Sequence, residues 1–134
     1  MPVQPLPPTD PAVLELLQRP VEAVLGVNRR GKAPQLSVVW FRWDGEQFLI
    51  STLKGRAKHT NLRRDPDCTI LVNDPTQKWY VMAYGKARFF TQGHEELSRD
   101  LHARYLPGAD PGTSPTDPER VVLALRPERM ITGR

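Results

Sequence analysis

Apolar residues are concentrated in six short stretches of this 134-residue chain, alternating with other residues along 21–27 and forming continuous runs in stretches such as 68–72 and 119–125. Alternation at every second position is typical of β-strands with one face in the protein core. Turns that contain glycine or proline separate most of these stretches, which favours a strand-rich fold over a helical bundle. The predicted strands cover residues 21–27, 34–43, 47–53, 68–72, 78–91 and 119–125.

Three short helices flank or connect these strands, two of them predicted from apolar residues at helical spacing and one from the basic loop and the stop at Asp65-Pro66. The first covers residues 11–18, the second begins in the basic loop at Arg56 and ends at Asp65-Pro66, and the third covers residues 95–105. The second helix ends there because proline disfavours helical geometry in the residue before it. Gly85 lies inside the fifth strand and predicts a bulge or bend at that position.

The order of these elements predicts a mainly β (α+β) fold. The short turns between the first three strands predict a meander, in which the second strand pairs with both the first and the third. Six antiparallel strands with small flanking helices predict a closed or nearly closed barrel, because closure removes exposed sheet edges. We expect residues 1–9 to be a disordered proline-rich tail and residues 10–134 to form a single domain.

Composition and charge narrow the range of functions. The net charge of +4 and the pI near 9.6 favour an anionic partner, which could be nucleic acid, a phosphorylated cofactor or an acidic small molecule. The single cysteine, Cys68, cannot form an intramolecular disulfide, and its apolar neighbours favour an inert buried thiol. No stretch has the pattern of a secretion signal or of a membrane span, so we expect a cytoplasmic protein.

Several function classes receive little support from the residues. The serines lack the sequence context of a hydrolase nucleophile, and His59, His94 and His102 are not spaced as metal ligands. Nucleic-acid binding stays open as an alternative, because aromatic residues such as Trp40 and Trp43 could stack on bases. The fifteen acidic residues interspersed among nineteen basic ones weigh against it.

The basic loop before the second helix is the best candidate for an anion site. Arg56 and Lys58 lie where the helix begins, and a helix N-terminus already carries partial positive charge. Two cations at this position are unfavourable unless an anion joins them. Arg63 and Arg64 lie at the other end of the helix, where they complement the helix dipole and need no ligand.

A phosphorylated cofactor would account for the neighbouring residues as well. In the predicted meander, the hydroxyls of Ser51 and Thr52 on the third strand lie beside the second strand and could bind a heterocycle. Arg56 and Lys58 would then bind its phosphate. Each strand residue also has an ordinary packing role, so this pattern alone leaves the function open. The second strand would contribute the backbone amides of Ser37, Val38, Val39 and Trp40.

The stretch over residues 21–66 resembles a known family in its motifs PQLSVVW, WDG, FLIST and GRAKHTNLRRDP, which are followed by CTILV. These motifs are similar to those of the pyridoxamine 5'-phosphate oxidase-like split β-barrel family. The signature GRxKxxNLRRDP resembles the branch of oxidoreductases that depend on the deazaflavin coenzyme F420. The similarity continues through KWYVMAYGKARF, EELSRDLHARYL and LRPERMITG, and so covers nearly the whole chain.

The resemblance implies a six-stranded split barrel of the FMN-binding type that forms a homodimer, with a cofactor site in each cleft between subunits. By position, Ser37, Val38, Val39 and Trp40 would lie along the ring. Ser51 and Thr52 would follow the ring and its linker, Arg56 and Lys58 would bind the phosphate, and Asn61 would support that loop or contact the cofactor. The partner subunit would contribute Trp79, Tyr80 and Met82.

The activity implied by the resemblance is hydride transfer from reduced F420 to an unsaturated or electrophilic small molecule, with no nucleic-acid or membrane partner. The nearest alternative is an FMN-dependent oxidase or reductase of the same fold, followed by a non-catalytic flavin-, deazaflavin- or haem-binding protein. The sequence identifies no proton donor and assigns no role to the loop at residues 109–118.

Overall fold

The computed structural model describes residues 3–4 and 10–133, and it contains eight strands, three α-helices and one 3₁₀ turn within them. The helices are α1 (Pro11–Leu17), α2 (Ala57–Arg64) and α3 (His94–Tyr105), and the 3₁₀ turn is Ser114–Thr116. The strands are β1 (Val3–Gln4), β2 (Ala23–Arg29), β3 (Lys32–Val39), β4 (Arg42–Trp43), β5 (Phe48–Leu53), β6 (Asp67–Asp74), β7 (Trp79–Phe90) and β8 (Arg120–Gly133).

All strands belong to one antiparallel sheet with the order β3-β2-β6-β7-β8-β5-β4, and β1 pairs with β8. The mainly antiparallel α+β class predicted from the sequence is confirmed. The structure has eight strands rather than six, because the predicted second strand is divided at Trp40 and Phe41 into β3 and β4 and because β1 lies in the predicted tail. Of the tail at residues 1–9, only Val3–Gln4 is described, as a strand, and the rest of that prediction falls outside the described residues.

The predicted meander is confirmed only as two hairpins. The predicted second strand pairs with β2 through β3 and with β5 through β4, but among the described residues β3 does not pair with β5, whose other neighbour is β8. β3 and β4 are the two outermost strands of the order, yet only Trp40 and Phe41 connect them. The sheet must therefore curl until its ends meet at this corner. Among the described residues no ladder joins β3 to β4, so the sheet is a split barrel that hydrogen bonds do not close.

The barrel interior holds the main core. Leu25 on β2, Ile70 on β6, Ala83 on β7 and Met130 on β8 lie in one register row, and all four are fully buried. α1 adds its buried side chains to the same cluster. No helix within residues 3–4 and 10–133 is both long enough and apolar enough to cross a bilayer.

The bulge predicted at Gly85 is confirmed. The register between β7 and β8 shifts between Tyr84 and Gly85, and Gly85 lies opposite Pro127. A Cβ atom on Gly85 would collide with the carbonyl oxygen of Arg126, so a side chain does not fit here. The final strand continues to Gly133, beyond the predicted residues 119–125. The prediction ended early because Pro127 interrupts the strand pattern in the sequence.

A second, smaller core positions the candidate site. α3 packs its buried Leu97 and Leu101 on the outer face of β5 and β8. Leu49, Val122 and Ala124 form the strand side of this contact, and Trp40 and Tyr105 pack against its margin. α3 therefore lies outside the barrel, next to the corner where the sheet is split.

Candidate functional site

A cleft of about 520 Å³ opens on the outer face of β5, beside the split in the barrel. Its walls come from the end of β3, the start of α2, the face of α3 and the segment around Ser114. This volume is in the range of sites for small molecules and cofactors. Seven of the residues predicted from the sequence line it, namely Val38, Val39, Trp40, Ser51, Thr52, Arg56 and Lys58.

Two predicted residues close to the cleft do not line it. Ser37 pairs with Leu25, whose side chain is fully buried, so Ser37 shares the face of β3 that points into the barrel. Asn61 lies one turn beyond Lys58 on α2, and its side-chain oxygen accepts a hydrogen bond from Arg64 at 3.0 Å. Asn61 thus supports the helix rather than the cleft.

Trp79, Tyr80 and Met82 lie on β7, away from the cleft of their own chain. Tyr80 and Met82 pair with Gly133 and Ile131 of β8, whereas the cleft residue Ser51 pairs with Val122, which lies about 30 Å back along the same strand at about 3.3 Å per residue. The Trp79 indole donates a hydrogen bond to buried Asp74 at 2.9 Å and packs against the main core. Tyr80 and Met82 alternate with buried Val81 and so belong to the outer face of the sheet.

The start of α2 concentrates positive charge. Gly55 has a φ of +82°, a conformation that favours glycine, and this turn places Arg56 at the N-cap of α2. Arg56 makes no side-chain capping bond, and the first turn contains no acidic residue. Lys58 is half-buried, and its pKa is lowered by burial and, secondarily, by the charge of Arg56.

Arg120 is a third cation in the cleft, which the sequence analysis missed. Its Nη1 donates to Ser51 Oγ at 2.9 Å, and its Nη2 donates to Ser114 Oγ at 2.7 Å. Its Nε donates to the Ser114 carbonyl oxygen at 2.8 Å. Burial lowers the pKa of Arg120, Asp117 raises it and Arg56 lowers it. In the sequence, Arg120 is only the polar first residue of an apolar strand, so no pattern marked it.

The charge of the cleft is unbalanced. Arg56, Lys58 and Arg120 line it, whereas no aspartate or glutamate among the described residues does so. Within the described part of the chain, no carboxylate oxygen lies within 4.0 Å of these three cations. Partly buried like charges repel one another, and an anion would offset both the repulsion and the desolvation. This arrangement fits a ligand with a phosphate or another anionic group.

Trp40 forms a flat wall of the cleft. Its ring stacks on Tyr105 with centroids 5.0 Å apart and an interplanar angle of 7°. The Tyr105 hydroxyl donates to the Val21 carbonyl at 2.8 Å and accepts from the Phe41 amide at 3.2 Å, and burial raises its pKa. α3 therefore fixes the corner between β3 and β4, and with it the orientation of the indole.

The rest of the lining suits a flat heterocycle. β3 is an edge strand, so one side of its backbone, next to Val38 and Val39, has donors and acceptors that no strand pairs. Ser98, Leu101 and His102 of α3 complete the wall on the other side. No sequence motif marks these three residues as part of a site, because Leu101 belongs to the apolar face of the helix and Ser98 and His102 are isolated polar positions.

The outer face of the sheet carries a partly exposed apolar row next to the cleft. We define the apolar row as five residues that pair successively across β3, β2, β6, β7 and β8. Leu36 lies on the same face and is 70% exposed, while Val38 is 63% exposed and also lines the cleft. The members of the apolar row are Val38, Val24, Leu71, Met82 and Ile131.

The described residues contain neither a cluster of metal ligands nor a reactive cysteine. Nowhere in residues 3–4 and 10–133 do three or more His, Cys, Asp or Glu side chains come together as metal ligands would. Cys68 is buried, and burial with nearby acidic residues raises the pKa of its thiol to about 12. A thiol with this pKa is a poor nucleophile.

Three solved structures of other proteins have folds similar to that of this chain. A protein described as an F420 reductase is 27% identical, with a TM-score of 0.78 over 87% of this chain and 94% of its own. A conserved hypothetical protein from Mycobacterium tuberculosis is 20% identical, with a TM-score of 0.77 over 96% of this chain and 88% of its own. A pyridoxamine 5'-phosphate oxidase-related, FMN-binding protein from Nostoc punctiforme is 15% identical, with a TM-score of 0.67 over 92% of this chain and 84% of its own.

The last two similarities concern the fold alone. The match to a family model extends over residues 9–132 and so includes every strand and helix from α1 to β8 up to Thr132. By this match and by its fold, the chain belongs to the pyridoxamine 5'-phosphate oxidase family.

Proposed function

We propose that this protein binds coenzyme F420 in the cleft beside β5 and transfers a hydride from the reduced cofactor to an unsaturated or electrophilic small molecule. The observation that carries this proposal is the cluster of Arg56, Lys58 and Arg120 in a cleft that no carboxylate of the described residues lines. The 27% identity to an F420 reductase over most of both chains supports the choice of cofactor.

In this proposal, different residues of the cleft bind different parts of the cofactor. Arg56 and Lys58, with the free amides at the start of α2, hold the phosphate. Arg120 lies between Ser51 and Ser114 and adds positive charge next to this group. A polyanionic tail such as that of F420 is favoured by three cations more than a neutral ligand would be.

The ring lies, in this proposal, between the edge of β3 and the hydroxyl-bearing face of β5. The unpaired backbone groups of β3 near Val38 and Val39 hydrogen-bond the heterocycle. Trp40, fixed by Tyr105, limits the width of the cleft and excludes water from one side. Reduced F420, when bound, supplies the hydride, and the chain supplies orientation and a dry, positively charged surround.

A homodimer is part of the proposal. The apolar row and Leu36 leave an apolar sheet face partly exposed in the single chain, and exposed apolar faces of this kind mark interaction sites. Because Val38 belongs both to the apolar row and to the cleft lining, a second copy on this face would lie at the mouth of the cleft. Tyr80 and Met82, on the same face, are then the residues through which a partner would contribute to the site.

FMN is the second candidate cofactor. The same cations fit its phosphate, and the FMN-binding protein from Nostoc punctiforme shares the fold. FMN lacks the anionic tail of F420, so it makes less use of the third cation, Arg120. We therefore propose F420, rather than FMN, as the cofactor.

The proposed activity is tested by turnover. Purified protein is mixed anaerobically with reduced F420 and a panel of quinones and enones, and the return of the oxidised deazaflavin absorbance is followed. We expect oxidation with at least one acceptor, and loss of this activity in Arg56→Ala with Lys58→Ala. If the protein oxidised reduced FMN but not reduced F420, FMN would replace F420 as the proposed cofactor. If it oxidised neither, the proposal that the protein is an enzyme would be contradicted.

A further inference from the structure

We propose that the α3 side of the cleft is the binding subsite for the hydride acceptor, and that Ser98 and His102 are the side chains that select it. The acceptor class is an uncharged conjugated carbonyl compound, such as a quinone or an enone. This inference rests on the proposed function, because it assigns the cationic side of the cleft to the cofactor.

The first argument is the position of the two side chains. Ser98 and His102 are four residues apart on α3, so they lie on the same face of the helix, and both line the cleft. Buried Leu97 and Leu101 anchor this helix to the outer face of β5 and β8. The two polar groups are therefore held in place by a packed helix rather than by a loop.

The second argument is that both side chains lack partners within the chain. Among the described residues, His102 Nε2 is buried without a hydrogen-bond partner. Ser98, which is half-buried, donates no hydrogen bond to any described residue and accepts none. A buried polar atom such as His102 Nε2 is nearly always paired in folded proteins, whereas the Ser98 hydroxyl is accessible from the cleft. A ligand with an oxygen atom on this side would provide the partner that the chain does not.

The third argument is the chemical contrast between the two sides of the cleft. All three cations belong to β8 and the start of α2, whereas α3 contributes no Lys, Arg, Asp or Glu to the lining. Next to His102 stands the Trp40 indole, with ring centroids 6.2 Å apart and an angle of 68°. A flat aromatic wall with two neutral hydrogen-bonding groups suits a flat, uncharged, oxygen-bearing molecule.

The chemistry of such an acceptor explains why donors are needed there. A conjugated carbonyl compound that accepted a hydride from a reduced deazaflavin would gain a C–H bond as the donor's C–H bond broke and the donor was oxidised, and its π electron pair would move onto the carbonyl oxygen. That oxygen then takes a proton from solvent. Hydrogen-bond donors directed at it stabilise the negative charge as it develops. Ser98 and His102 are thus expected to affect both the binding and the turnover of the acceptor.

The test separates the binding of the acceptor from that of the cofactor. Menadione is titrated by calorimetry into protein saturated with oxidised F420, and the imidazole signals are followed by ¹⁵N NMR. We expect the His102 signals to shift, and menadione affinity to fall about three- to tenfold in both Ser98→Ala and His102→Gln. The affinity for F420 should stay within about twofold of wild type.

His94→Gln is the matched control. His94 is on the same helix and also has a buried ring nitrogen without a partner among the described residues, but it does not line the cleft. Menadione that fails to bind, or that binds equally well to both cleft variants, would overturn the acceptor subsite and leave the cofactor proposal intact. Variants that lose F420 affinity would assign the α3 side to the cofactor instead. Wild-type protein that does not bind F420 would overturn the proposed function and this inference together.

Discussion

The Arg120 guanidinium lies 2.9 Å from Ser51 Oγ and joins β8 to β5 at the floor of the cleft. The same guanidinium makes two hydrogen bonds to Ser114, so one side chain ties the segment around residue 114 to the sheet. Since burial lowers the pKa of Arg120, the chain itself does not compensate its charge fully. This relationship links the shape of the cleft to its positive charge.

Arg120→Gln is expected to weaken F420 binding by about 1.5–3 kcal/mol, the usual range for a charge-assisted hydrogen bond. Arg120→Lys should restore little, because one ammonium group cannot reproduce the fork that spans the two serines. Dissociation constants from fluorescence titration give the measurement. Arg126→Gln is the control, since Arg126 is an exposed cation on the same strand. Equal affinities for Arg120→Gln and wild type would exclude a role for Arg120 in binding.

Lys58→Met is expected to have opposite effects on stability and binding. Burial lowers the pKa of Lys58 in the folded chain, so the protonated lysine destabilises the cofactor-free protein at neutral pH. This cost disappears as the pH rises through the lowered pKa towards the ordinary value of about 10.4. The variant should therefore have an equal or larger free energy of unfolding in urea, yet a weaker affinity for F420.

The pH dependence of binding follows from the same lysine. An anion beside Lys58 raises the pKa of its ammonium group, so F420 affinity should fall as the pH rises and the lysine loses its proton. This fall should be absent in Lys58→Met and present in Lys54→Met, whose altered residue is exposed on the same loop. A variant that loses stability without losing affinity would mean that Lys58 has a structural role only.

Leu36→Lys is expected to prevent dimer formation. Leu36 is 70% exposed on the face of the apolar row but does not line the cleft, so a new charge there acts on the interface alone. Sedimentation velocity should show a dimer for wild type and a monomer for the variant. Leu106→Lys, at a 45% exposed leucine after α3, should remain a dimer. A wild-type monomer, or a dimeric Leu36→Lys, would place the interface elsewhere.

Asp74→Asn is expected to lower the stability of the fold at neutral pH and to make that stability less sensitive to acidic pH. Asp74 is 1% exposed and bonded to Arg19, Thr76 and Trp79. The Arg19 hydrogen bond, above the other contacts, holds the pKa of this carboxyl well below its usual range. The stability that Asp74 contributes is present above the unfolded pKa of about 3.9 and is lost as the pH falls below it.

Thermal unfolding at a series of pH values measures this effect. The difference in Tm between wild type and Asp74→Asn should shrink below about pH 4. Asp67→Asn is the control, because Asp67 forms an exposed ion pair with Lys86, a kind that contributes little to stability. A difference that is constant over the whole pH range would contradict the account.

Much of the local structure was accessible from the sequence, whereas the full pairing of the strands was not. Alternation and helical spacing located the main strands and the helices, and the glycine at position 85 marked the bulge. The full meander was not confirmed because periodicity says which residues share a face, not which strands are neighbours. The two-residue link of Trp40 and Phe41 sends the chain from one end of the sheet to the other, and nothing in its composition signals this.

The candidate site shows the same division. Arg56 and Lys58 could be found because their position at a helix start makes isolated positive charge unfavourable. Arg120 could not be found, because the sequence does not show that its guanidinium bonds to Ser51 and Ser114. Likewise, Ser98 and His102 become lining residues only once α3 packs beside the split in the barrel.

The most direct test of the central claim is a fluorescence titration of oxidised F420 with three proteins. These are wild type, Arg56→Ala with Lys58→Ala, and Arg30→Ala with Arg63→Ala, which removes two exposed cations outside the cleft. We expect tight binding by wild type and by the control, and a loss of at least about a hundredfold in Arg56→Ala with Lys58→Ala, from two charge-assisted contacts. Equal F420 affinity in all three proteins would contradict the claim that this cleft holds the cofactor.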